Sequence, residues 1–242
     1  MSDPRPGSLD ALVQLHQTLI RNPGPRETCA AWRAYCREQT CGFVVTFDDP
    51  AYQETDSRSL GLDGHDHFHD IPEPNLDEAI MRVVDTEGPV HLRVLTQRLL
   101  DAAGFSRAGS RIQARIHERR ATLGATGQIR LDGDFSGRPE QFLVPCLRDW
   151  SGLPDNLRQL DHVHDAELML SLVRTVVEAG SLAVDTALND ALYRMGFIRL
   201  TENARERLQT PLDQALKEGL LVRGKEGLEP GRKAFERPRP ST

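Results

Sequence analysis

Aromatic side chains are scarce in this chain of 242 residues, at 5% of the total. Cysteine is scarcer still: of four, three lie between 29 and 41 and one at 146. That is not the dense framework of a small secreted scaffold, so reduced thiols are expected. No run approaches the ~18 apolar residues of a membrane span, and the opening MSDPRPGSLD has no basic-then-apolar signal region. The expectation is a cytoplasmic protein with no membrane partner. There is no GxxxxGK[ST] loop to bind nucleotide. No Ser-His-Asp, Cys-His or paired-carboxylate arrangement has a telling spacing, so no enzyme, no catalytic residue and no cofactor are expected. What is present excludes disorder of the whole chain: 38% hydrophobic and 27% charged residues are the proportions of a globular protein.

The net charge of −6 is unevenly spread. Up to Asn75 the chain has 6 basic and 12 acidic residues, and the remainder carries 24 of each, so all the excess acid sits in the first third. Binding to a polyanion depends on the field of one face, so the average does not decide it.

An internal repeat organises the rest. Segment 80–131 matches segment 172–223 at a constant offset of 92 without a gap. Gly88 falls on Gly180, Gly104 on Gly196, Phe105 on Phe197, Arg107 on Arg199, Arg115 on Arg207 and Gly127 on Gly219. The apolar frame follows, with Val84 on Val176, Val90 on Leu182, Leu92 on Val184, Leu100 on Leu192, Ile116 on Leu208 and Ile129 on Leu221. Glycines and apolar residues agreeing together mark two copies of one unit.

Each copy reads as three helices and a hairpin. In the first, Asn75 is a candidate cap with Glu78 at the third helical position, and apolar spacing runs to Gly88. Val90–Leu92 is short and extended; helices follow over about 91–103 and 109–123. Strands at 128–131 and 141–144 would flank the turn-rich LDGDFSGRPE as a wing. The second copy has helices near 165–179, 184–195 and 201–218 and a wing around 220–228. Pro211 should kink its last helix, or restart it with Thr210 as cap. The fold class expected is mainly α with small β wings: two tandem winged-helix modules plus an N-terminal α/β element.

The stretch EGPVHLRVLTQRLLDAAGFSRAGSRI, the run Pro145-Cys146-Leu147-Arg148 and the later ELMLSLVRTVVEAG resemble the domain of unknown function 3320. The resemblance covers about residues 71–230, most strongly 87–112. That domain typically forms the tail of large bacterial proteins that combine a superfamily I helicase with a Vsr-like endonuclease. The resemblance thus implies a setting in DNA metabolism or anti-phage defence, with a helicase or nuclease subunit as protein partner; it supplies no binding residues.

Charge separates the copies. The first has nine arginines against four acidic residues, net +5, and the second seven of each sign. Where the first has Arg93, Arg98, Arg111 and Arg119, the second has Asp185, Asp190, Asn203 and Pro211. Arg107, Arg111, Arg115 and Arg119 recur every four residues and would form a stripe on the third helix. Ser110 stands at that helix start, and Arg130 and Arg138 belong to the wing. These seven are the candidate nucleic-acid contacts, for duplex more than single-stranded DNA. A solvated arginine face, or one paired to an acidic partner, is the competing reading. Five or six phosphates contacted would give a log–log salt slope of roughly −5.

His65, His67 and His69 in GHDHFHD look metal-binding, but the Gly- and Pro-rich surroundings suit a flexible acidic linker better, and no metal is expected. Cys29, Trp32 and Cys36 share one side of a helix over about 27–39, which suits core packing. An amphipathic helix over 8–21 and an apolar strand over 41–47 suit docking or oligomerisation. The resulting division is 1–62 as docking element, 63–75 as His-rich linker, 76–147 as first module, 148–164 as linker, 165–230 as second module and 231–242 as disordered tail. The expected function is non-enzymatic nucleic-acid binding; the alternative is a protein–protein adaptor, such as the winged-helix subunit of an SMC-like or other multi-subunit complex, that does not touch DNA.

Overall fold

A computed structural model describes residues 51–143 and 146–235. The expected helices over 8–21 and 27–39, the strand over 41–47 and the tail beyond residue 235 lie outside the described residues. Those described divide into two units, with the boundary between Ala166 and Glu167. They are mainly helical with small antiparallel sheets. No helix among them is long and apolar enough to cross a membrane.

In the first unit, α1 spans Glu73–Glu87, three residues earlier than the Asn75 cap would place its start. Pro72 is the N-cap and Pro74 lies in the first turn, where a missing N–H costs nothing, while Glu73 faces the positive end of the helix dipole. After the short strand β1, Val90–His91, helix α2 runs over Leu92–Ala103. His91 caps it by accepting the Arg93 N–H on Nδ1, and Gly104 stops it at φ 75°, where a side chain would be strained. Helix α3 spans Ser110–Ala125.

The wing is tighter than the sequence suggested. Strands β2, Arg130–Asp132, and β3, Phe135–Gly137, pair directly across Gly133 and Asp134, with Asp132 opposite Phe135. The β1 strand joins them with Val90 opposite Ser136, giving the order β1-β3-β2. Residues 141–143, expected as a strand, belong instead to the short helix α4, Pro139–Leu143. There the Gln141 side chain accepts the Arg138 N–H and donates to the Val84 carbonyl, closing the wing against α1.

Leu76, Ile80, Val83 and Val84 of α1, Val94, Leu95 and Leu99 of α2, and Ile116 and Leu123 of α3 form the core. Leu60, Leu62, Phe68 and Ile71 complete it, so the segment read as a flexible linker is part of the folded unit. Burying Phe68, 1% exposed, contributes about 1.5–3 kcal/mol, and with buried Leu60, Leu62 and Ile71 it offsets the cost of ordering the turns at Ser57–Leu60 and Phe68–Asp70. The second linker also folds in: Leu147, Trp150, Leu153 and Val163 are buried, and Ala51 bridges Asp149.

The second unit repeats the plan in the offset register. Helix α5, Asp165–Ala179, lies 92 residues on from α1 at both ends. Helices α6, Val184–Arg194, and α7, Glu202–Glu218, follow, then strands β4, Leu221–Arg223, and β5, Leu228–Pro230. A single bridge, Leu182 to Leu228, stands where β1 pairs in the first unit. Gly196 and Gly219 keep the left-handed backbone of Gly104 and Gly127. Pro211 does not restart α7: the helix passes through it, with Thr201 as the cap accepting the Ala204 N–H and Pro211 itself buried. Residues 232–235, expected as part of the tail, make a turn that buries Ala234.

Candidate nucleic-acid interface

The arginine stripe is not a continuous cationic surface. A row of side chains four apart winds about 40° per step around an α-helix, because 3.6 residues make a turn. The rotation carries Arg115 and Arg119 off the outer face towards the rest of the unit. Arg115 donates to the carbonyls of Phe68, at 2.5 Å, and of Ile71, holding the 68–71 turn on α3. Arg119 donates to both carboxylate oxygens of Asp77, at 2.8 and 2.5 Å, and to Glu73 at 2.5 Å. The Asp77 hydrogen bond raises its affinity for its proton, so this guanidinium is committed to α1. In the wing, Arg138 pairs with Asp85 at 2.5 Å and reaches the Gln128 carbonyl at 3.0 Å. Arg130 lies 5.0 Å over the Phe142 ring. Arg115, Arg119 and Arg138, three of the seven expected contacts, thus hold intramolecular partners, and two of them belong to the expected stripe of four.

Arg107 stands in the turn before Gly109, the N-cap of α3, and so is not on the helix. It is exposed, as are Ser110 and Arg111. Arg107 and Arg93 line one groove of about 600 Å³ with Gln97, Ser106, Gln113 and His117. Among the described residues no side-chain hydrogen bond or ion pair engages Arg93, Arg107 or Arg111. No side chain caps α3 and no acidic residue occupies its first turn, so the positive end of the helix adds to the field of these three cations. Gln113, Ala114, His117 and Ala121 continue the exposed side of α3.

Sequence reasoning therefore missed Arg93, Gln113 and His117 as members of this corner. The exchange of Arg93 for Asp185 between the copies was the available signal, since it reverses sign at one position. It also missed Arg120, which is buried and donates to Ser136 Oγ at 2.6 Å and to the carbonyls of Gly133 and Phe135. Arg120 shapes the wing from inside; burial lowers its proton affinity.

Two buried polar networks brace the unit. Glu87, 1% exposed, accepts from the Arg98 guanidinium at 2.9 Å, from Tyr52 Oη at 2.8 Å and from the Thr55 N–H at 2.9 Å. Arg148, the arginine of the Pro145-Cys146-Leu147-Arg148 run, donates to the Glu87 carbonyl at 2.6 Å. It also lies 5.0 Å from the Tyr52 ring centre and 4.9 Å from that of Trp150. Burial, and then the Glu87 charge, push the Tyr52 phenol well above its ordinary range. The second network lies under the wing. The His91 ring is 4.8 Å from that of His162 and 5.2 Å from that of Phe135, and His164 Nε2 is 3.3 Å from Asp132. Burial, with the His162 ring beside it, lowers the His91 pKa to about 4. The 65–69 histidines sit on the turn around Phe68, and no group of three or more His, Cys, Asp or Glu among the described residues is placed to hold a metal ion.

Residues 66–114 match the family model described as Protein of unknown function (DUF3320). The match runs from the Phe68 turn through α1, β1 and α2 into the first turns of α3. No curated protein matches the chain. No solved structure matches it.

Proposed function

We propose, from the premise that residues 66–114 carry the DUF3320 segment, that the chain is a non-enzymatic binding protein with two tandem winged-helix modules, of which the first holds duplex DNA. The element order helix, strand, helix, helix, strand, strand, with the sheet order β1-β3-β2, supports the winged-helix reading. In helix-turn-helix docking the helix that enters the major groove meets bases with its N-terminal residues. Here that position is taken by Ser110, Gln113 and His117, with Gln113 chemically suited to an adenine edge.

The observation that carries the reading is the placement of Arg93, Arg107 and Arg111. Exposed Arg93 and Arg107 line one groove beside the uncapped start of α3, and exposed Arg111 stands in the first turn of that helix, lining a separate cavity with His69, Ala114, Arg115 and Glu118; among the described residues these three have no ion-pair partner, while Arg115, Arg119, Arg120 and Arg138 are all engaged. Like-charged groups held together repel, and an anion relieves that cost. Phosphate of a nucleic-acid backbone supplies it in the right form, accepting hydrogen bonds from guanidinium and from free helix N–H groups.

Fluorescence anisotropy with a labelled short duplex tests this. The variant R107E/R111E should lose retention of the duplex, while R119Q should keep it. Retention unchanged in R107E/R111E overturns the proposal and favours the second reading, a protein–protein adaptor without direct DNA contact. A specific observation supports that alternative: two of the four stripe arginines are held within the chain, Arg115 by backbone carbonyls and Arg119 by Asp77 and Glu73. A helicase or nuclease partner in DNA metabolism or defence is a further part of the proposal and rests on the family resemblance alone.

A further inference from the structure

The second unit presents a face of opposite chemistry at the place that corresponds to the arginine corner. Offset by 92, Asp101 and Ser106 become Tyr193 and Ile198, which are 75% and 77% exposed. Tyr193 lies in the last turn of α6 and Ile198 in the turn leading to α7, on either side of Gly196 with its φ of 84°. Their neighbours Leu192 and Met195 are buried, so the unit's own core is filled without them. A single exposed apolar side chain is ordinary, but two large ones flanking one turn, where the twin unit is polar, make a patch.

The charges around it are mostly acidic. Asp190 on α6 and Glu202 and Glu206 on α7 are exposed. Of the nearby cations, Arg205 is engaged by Asp185 and lies 3.9 Å from Glu202, and Arg194 is engaged by Glu178. Arg199 is the exposed cation left among these carboxylates. Such a field repels phosphate and attracts a cationic partner. We propose that this face docks a protein segment of net positive charge with an apolar anchor, Tyr193 and Ile198 making the central contact and Asp190, Glu202 and Glu206 the charged rim. Tyrosine at the centre of a polar rim is the composition that concentrates binding energy in protein interfaces. The inference uses residues of the second unit alone and is independent of the nucleic-acid reading.

The test titrates the isotope-labelled full chain with a short amphipathic peptide of lysine and leucine, and with its glutamate–leucine counterpart, following amide resonances. The lysine peptide should shift Tyr193 and Ile198 and the glutamate peptide should not. Y193S/I198S changes only exposed positions and keeps the acidic rim; it should weaken lysine-peptide binding roughly tenfold or more and leave duplex binding unchanged. Equal peptide binding by Y193S/I198S and the parent, or shifts confined to other residues, overturns the proposal. So does concentration-dependent broadening at Tyr193 and Ile198 without peptide, which identifies a second copy of the chain as the occupant. If duplex binding is absent while peptide binding at Tyr193 persists, the nucleic-acid reading falls and this one stands.

Discussion

Glu87 concentrates more of the first unit's stability than any surface arginine. Its carboxylate is buried under Tyr52, Thr55 and Arg98, and removing its charge leaves the Arg98 guanidinium, 6% exposed at its side chain, with the half-exposed Glu54 at 2.7 Å as its remaining counter-charge. E87Q should therefore destabilise the chain by about 1–3 kcal/mol in denaturant unfolding. R119Q loses charge-assisted bonds nearer the surface and should cost about 1–2 kcal/mol without weakening duplex binding. His91 gives a pH signature. Its folded pKa of about 4 lies below the ordinary 6.5, so as pH falls the unfolded chain takes the proton first. The stability it contributes is complete above pH 6.5 and is lost as the pH falls towards about 4, by roughly 3 kcal/mol. The groups facing the ring, His162, Asp134, Arg93 and Asp161, are part of that balance. H91N can still accept the Arg93 N–H, and thermal melts across this range should show a shallower acid loss in the variant than in the parent.

At the scale of elements, the two wings show how little chain is needed to close a module. In the first, Arg120 and Gln141 tie a hairpin with a two-residue turn to the helices. In the second, the closure depends on Leu182 and Leu228 exchanging backbone hydrogen bonds at 3.0 and 2.7 Å. Gly227 stands beside that bridge at φ 144°, and a Cβ there would lie 2.1 Å from the Leu182 carbonyl oxygen. G227A must break the bridge or shift the strand, and a loss of about 2 kcal/mol or more is expected in the unfolding of the second unit. Hydrogen exchange at Leu182 and Leu228 should accelerate in the same variant. Helix α7 is the element where local chemistry misled: Pro211 removes one N–H, yet the helix continues because its apolar side, Leu208, Pro211, Leu212 and Ala215, is buried. Packing of that stripe offsets the lost hydrogen bond.

On the scale of the whole molecule, duplication has produced two units with the same plan and opposite surfaces. On the proposed nucleic-acid reading, Arg93, Arg107 and Arg111 would make about three phosphate contacts in place of the five or six expected, and so a log–log salt slope near −3 instead of −5. Anisotropy at several salt concentrations measures it. A slope near −5 would show that Arg130 and one of Arg115, Arg119 or Arg138 join the contact on binding. The second unit should contribute nothing to that slope, because Asp185, Asp190, Glu202 and Glu206 stand at the positions where the first unit keeps Arg93, Arg98 and the start of α3.

The sequence by itself determined the repeat, the helices and their stops, because spacing of apolar residues and left-handed glycines such as Gly104 and Gly196 is a local matter. It also showed where the copies differ in sign. Only tertiary structure decided which arginines remain available: a guanidinium reaches several ångströms, and whether it meets solvent, Asp77, Asp85 or the Phe68 carbonyl depends on residues dozens of positions away. For the same reason Phe68 and Trp150, which read as linker, and Leu62 at the end of the expected docking element, all sparse and irregularly spaced among Gly, Pro and Asp, are buried. Leu62 and Phe68 are buried in the core that α1 and α2 share, and Trp150 packs on Tyr52 and Arg148, contacts that no periodicity within their own segments records.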